Sequence, residues 1–91
     1  MPAVSSDWYV YILRCADGSL YTGVTTDTER RVTEHNQSDR LGAKYTRVRR
    51  PVSLVYRELC SNRSAACKRE AQIKALSRAA KLKLLQTDAD Q

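Results

Sequence analysis

The chain has 91 residues, 16 of them Lys or Arg against 10 Asp or Glu, for a net charge of +6. That length feeds one hydrophobic core and excludes two, so a single domain over residues 1–91 is expected, with its core at about 8–85. The longest apolar run, Trp8 to Leu13, is far short of the ~20 residues of a membrane helix, and three cysteines without a CxxC pair exclude a disulfide frame and a zinc cluster.

Reduced thiols point to a cytosol, and the segment Met1–Asp7 has neither a basic start nor an apolar core of a secretory signal. A cytoplasmic protein with no membrane partner is expected. Trp8 to Leu13 is rich in aromatic and β-branched residues and reads as a strand covered on both faces. Asp17-Gly18 marks a hairpin, and Leu20 to Val24 is the returning strand.

The length of that turn decides the chemistry. A two-residue loop puts Tyr11 and Tyr21 on opposite faces of the sheet. A three-residue loop, Ala16-Asp17-Gly18 with Gly18 in the left-handed conformation, sets Leu13 against Tyr21 and Tyr11 against Gly23, so both phenols share a face. The odd-length loop is the expected one, with Gly23 leaving a gap beside Tyr11 for a phosphate to approach.

Thr26 followed by Glu29 reads as a capping box opening a helix to about Asn36. Val32 is its only aliphatic, so its inward stripe is Thr28, Arg31, Val32 and His35, with Arg31 and His35 one turn apart. A polar loop over Asn36–Gly42 leads into a short helical turn near Ala43–Thr46. Pro51 to Arg57 alternates as a third strand. Ser61 or Asn62 caps a helix over about Arg63–Leu76, with Ala66, Ile73 and Leu76 on its apolar side. Glu70 falls on that stripe, where an unpaired carboxylate is costly. A last helix, about Ser77–Leu85, buries Leu82 and Leu85, and Thr87–Gln91 is a frayed tail.

The charge is concentrated. Arg40 to Arg50 holds five basic residues and no acid, and Arg63 to Lys83 holds seven against the single acid Glu70. Clustered positive charge is the footprint of a polyanion partner, and it predicts salt-sensitive backbone binding with little sequence reading. One histidine, no glycine-rich phosphate loop and no second inward carboxylate argue against a zinc site, a nucleotide-binding loop and a glycosidase pair. What remains as a constellation is Tyr11, Tyr21, Arg31, His35 and Glu70.

At these positions the chain resembles the GIY-YIG nuclease superfamily. Tyr9-Val10-Tyr11 stands as the first motif and Tyr21-Thr22-Gly23 as the second. The run from Tyr21 to Asn36 carries an arginine ten residues after the second tyrosine and a histidine four later. The stretch Gly42–Tyr56 is similar to small stand-alone members of the UPF0213 (YhbQ-like) group. Two positions depart from the pattern: Tyr9 stands where glycine is usual and Thr22 replaces isoleucine, both at backbone or packing sites.

The resemblance implies an α+β fold, a three-stranded antiparallel sheet flanked by helices in the order β-β-α-β-α-α. It also implies metal-dependent hydrolysis of a DNA phosphodiester with one divalent cation, Mg2+ or Mn2+, and no small-molecule cofactor. Carried over by position, Glu70 is the metal ligand and Arg31 holds the phosphate. Tyr11 orients or deprotonates the attacking water with Tyr21 assisting, and His35 positions Tyr11 or relays its proton. Lys44, Arg47, Arg49 and Arg50 are the candidate contacts to the DNA backbone. The alternative is a DNA-binding module that keeps the fold without cleavage. Substrate structure and oligomeric state stay open at this stage.

Overall fold

The computed structural model of the protein describes residues 7–89, with side chains described as far as Gln86. The reading of Met1–Ser6, and the end of the expected frayed tail, lie outside the described residues. The elements run β1 (Trp8–Arg14), β2 (Leu20–Thr25), α1 (Thr28–Gln37), α2 (Lys44–Arg47), β3 (Ser53–Cys60), α3 (Arg63–Lys74) and α4 (Arg78–Ala89). The α+β reading holds. The strands form one antiparallel sheet in the order β2-β1-β3, so β1 is central.

The hairpin has the odd-length turn. Cys15 N–H donates to the Ser19 carbonyl and Gly18 N–H to the Cys15 carbonyl, both at 2.9 Å, closing a loop of Ala16, Asp17 and Gly18. Gly18 takes φ +85°, a conformation that its missing side chain makes cheap. The register follows: Tyr11 lies opposite Gly23 and Leu13 opposite Tyr21.

Alternation along β1 then supplies two different faces. On one, Val10 and Ile12 join Tyr56, Ala66 and Ile73 in a buried cluster under α3, with Leu84 and Leu85 of α4 packed against it. On the other, Tyr11, Leu13, Cys15 and Val52 cluster beneath α1, flanked by Tyr21 and Val32. All three cysteines are free thiols. No described helix is long and apolar enough to cross a membrane.

Four local expectations are corrected. The cap of α1 is Asp27, whose carboxylate accepts from Arg30 N–H at 3.0 Å, rather than Thr26. The strand read at Pro51–Arg57 forms later, at Ser53–Cys60, with a bulge that places Leu54 opposite Leu13 and Tyr56 opposite Ile12. The segment ahead of it is clamped instead to α1. Asn36 donates to the Val52 carbonyl (2.9 Å) and accepts from Val52 N–H (2.7 Å). The third helix stops at Lys74, two residues short of Leu76, and the last runs through Ala89, past the expected end at Leu85. Asn62 is the cap of α3, accepting from Ala65 N–H at 2.8 Å.

Candidate active site

His35 is the centre of the site. It is fully buried at the end of α1 facing the sheet, and Tyr11, also buried, approaches it from the central strand. Tyr11 Oη lies 2.9 Å from His35 Nε2. The phenol reaches that far because Gly23 stands opposite: a β-carbon there would fall 2.5 Å from Tyr11 Oη. The gap expected for a phosphate is therefore filled by the end of the Tyr11 ring.

The other imidazole nitrogen, Nδ1, is 2.7 Å from Thr46 Oγ1 and accepts from Ala43 N–H at 3.3 Å. Thr46 Oγ1 donates in turn to the Ala43 carbonyl at 3.0 Å, so the imidazole, the hydroxyl and the Ala43 backbone form one linked set of bonds. Burial, reinforced by the nearby Arg31 charge, pushes the His35 pKa down to about 4, which keeps the ring neutral at pH 7. Burial pushes Tyr11 up to about 12, against the pull of Arg31 toward phenolate, so it is a phenol at that pH.

Arg31 is partly buried beside this pair. Its Nη1 donates to Glu34 Oε1 (2.9 Å) and to the Leu41 carbonyl (2.7 Å), and its charge acts on the Tyr11 hydroxyl. Tyr21 stands edge-on to His35 at 5.3 Å between ring centroids. Its other neighbour is Tyr45, stacked at 5.8 Å, over which the Arg49 guanidinium sits at 3.8 Å. Tyr11, Tyr21, Arg31 and His35 thus meet in one place.

Glu70 reaches the same neighbourhood from α3, close enough that its charge acts on Tyr11. Its side chain is 23% exposed rather than enclosed, and it pairs with Lys74 at 3.3 Å. Among the described residues no group of three or more His, Cys, Asp or Glu side chains is placed to hold a metal. A single carboxylate with an open side nonetheless fits a hard divalent cation that keeps several waters and takes further oxygens from a phosphate.

The four basic residues expected to touch nucleic acid differ in what they are doing. Arg50 is engaged on the protein itself, donating to the His35 carbonyl (2.6 Å), the Ser38 carbonyl (2.9 Å) and Asp39 Oδ1 (2.9 Å). Arg49 pairs with Asp17 at 3.1 Å, and Arg47 donates to the Asp39 carbonyl at 2.9 Å. Lys44 is exposed. Sequence reasoning missed Thr46, which is fully buried against the imidazole, and Tyr45, which stacks on Tyr21. The basic run around them was the only signal.

Comparison with known proteins gives the family. Residues 7–83 match the GIY-YIG catalytic domain. The chain is 66% identical over 70 residues to a UPF0213 protein of Desulfotalea psychrophila, covering 77% of this chain and 63% of that one. It is 55% identical over 82 residues to a UPF0213 protein of Natronomonas pharaonis, covering 90% and 94%. Among solved structures, a protein from E. faecalis determined by solution NMR superposes with a TM-score of 0.63 at 44% identity, covering 96% of this chain and 91% of that one. A UPF0213 protein from Bacillus halodurans gives 0.57 at 44% identity, covering 89% and 84%. The chain belongs to the GIY-YIG family, a nuclease-type fold, and within it to the UPF0213 group.

Proposed function

We propose that the protein is a metal-dependent DNA endonuclease, hydrolysing phosphodiester bonds in DNA repair, recombination or defence. The observation that carries this is the buried Tyr11–His35 hydrogen bond of 2.9 Å with Arg31 alongside. A phenol, a neutral imidazole and a guanidinium held this tightly form an unusual investment for a fold that only needs packing.

Glu70 would hold one Mg2+ or Mn2+. Bound there, the cation supplies Lewis acidity to the scissile phosphate and stabilises the leaving oxygen. Arg31 binds the phosphate and offsets the charge that grows as water attacks and the P–O bond breaks. Tyr11 gives its own proton to solvent, directly or through His35, and then orients the attacking water and takes its proton. His35, 2.9 Å from the phenol oxygen through Nε2, holds Tyr11 in place or relays its proton. Tyr21 braces the imidazole. Lys44 and Arg47 contact the flanking DNA backbone.

The test is incubation of the purified protein with plasmid, single-stranded and branched DNA in Mg2+ or Mn2+. Cleavage is expected, faster as pH rises from 7 toward 9, and absent with chelator, with Glu70→Ala and with Arg31→Ala. No product from the wild type on any substrate would sink the nuclease reading and favour a binding module. Cleavage surviving both substitutions would sink the site assignment.

A further inference from the structure

Next to the Tyr11–His35 pair is an open cleft of about 450 Å³ whose walls include Trp8, Thr25, Arg30, Arg31, Glu34 and Arg63. Arg31 belongs to both, so the cleft is continuous with the site. Its charge is three guanidiniums against one carboxylate. That carboxylate, Glu34, is already held by Arg31 at 2.9 Å and by Arg30 at 3.6 Å. Arg30 remains 59% exposed at its side chain. Arg63 is exposed and lies over the Trp8 ring at 5.8 Å.

Trp8 is half-buried. Part of the indole packs on the Val10–Ile73 cluster, and part forms the cleft wall. An anchored aromatic beside exposed guanidiniums is what a single nucleic-acid strand requires: a π-face for the base and cations for the phosphate. A duplex keeps its bases stacked inside and offers none to the indole. None of Trp8, Arg30 or Arg63 belongs to the motif residues carried over by resemblance.

We propose that this cleft seats one unpaired nucleotide adjoining the phosphate at Arg31, its base on Trp8 and its own phosphate between Arg30 and Arg63. This rests on the nucleic-acid reading above and adds the substrate class: a strand unpaired beside the bond to be cut, as at a flap, gap or branch.

The test is binding without cleavage. The protein is titrated with oligothymidylate in chelator while the emission of Trp8, the chain's only tryptophan, and the anisotropy of the labelled strand are followed together. The expected result is saturable quenching of Trp8. The Arg30→Ala/Arg63→Ala double variant should weaken binding by about tenfold, and Arg40→Ala, an exposed basic control, by less than about twofold. Saturation by anisotropy with unchanged Trp8 emission would overturn the proposal. So would equal quenching by a blunt duplex, or equal weakening by Arg40→Ala. A separate cleavage assay keeps the two readings apart. Quenching without any cleavage in Mg2+ or Mn2+ defeats the nuclease alone, and cleavage without quenching defeats the nucleotide seat alone.

Discussion

The two faces of the sheet are built from alternate residues of one strand, yet they are made for different purposes. Under α3 and α4, Val10, Ile12, Tyr56, Ala66 and Ile73 form a mainly hydrocarbon contact, where volume matters more than direction. Under α1, His35, Thr28 and Thr46 are buried among Tyr11 and Leu13. Among the described residues no buried side-chain nitrogen or oxygen lacks a partner. Directional bonds fix a geometry that apolar packing alone leaves loose. The lesson is that directional bonds gather on the α1 face and apolar packing on the α3 face, with Glu70 the one site residue that α3 supplies.

Substitutions should sharpen or break that separation. The largest effect is expected from Glu70→Gln, which keeps shape and removes charge at a side chain that is 23% exposed and paired with Lys74. Cleavage should fall by about 10³-fold or more, while the thermal midpoint stays put. Retained activity, or a fall that tracks lost stability, would break the comparison. Next, Ile73→Ala empties part of the apolar face and should cost about 2–5 kcal/mol in denaturant unfolding. The rate per folded molecule should stay within about twofold, and a collapse of that rate would mean the faces are coupled.

The smallest expected effect is a pH dependence seated at His35. Its folded pKa, about 4, lies below the ordinary imidazole value of 6.5, so the unfolded state takes up the proton first. Stability from this group is complete above pH 6.5 and is lost as pH falls toward 4, by about 2 kcal/mol at pH 5. Urea titrations at pH 7 and pH 5 should show that loss in the wild type and its absence in His35→Gln. An equal loss in both would place the acid sensitivity elsewhere.

Much of this arrangement was legible in the sequence because it follows from short-range rules. Asp17-Gly18 marked the turn, its three-residue form was the one that let the phenols share a face, and the register bears that form out, with Tyr11 opposite Gly23 and Leu13 opposite Tyr21. Spacing along α1 put Arg31 and His35 beside them. The rest depended on tertiary partners. The third strand began late because Asn36 captures Val52, a contact between residues sixteen apart that no alternation reveals. Glu70 was read as buried because it lies on the Ala66–Ile73 stripe, but at 100° per residue it is about 40° to one side of Ala66 and 60° from Ile73. That is the flank of the stripe, where a side chain is partly exposed. Thr46 carried no periodic signal at all in a four-residue helix.

Arg50 and Thr46 give the segment from Ala43 to Arg50 a further significance. This short stretch is tied to the imidazole by Thr46 and Ala43, and to the end of α1 by Arg50. It contributes little to the apolar cluster under α3. In terms of local opening, it is expected to behave as a latch that releases before the sheet does. Its amide protons should exchange with solvent while those of β1 remain protected. Each such opening strips His35 of its Nδ1 partners, so the site can lose its order many times over in a molecule that never unfolds.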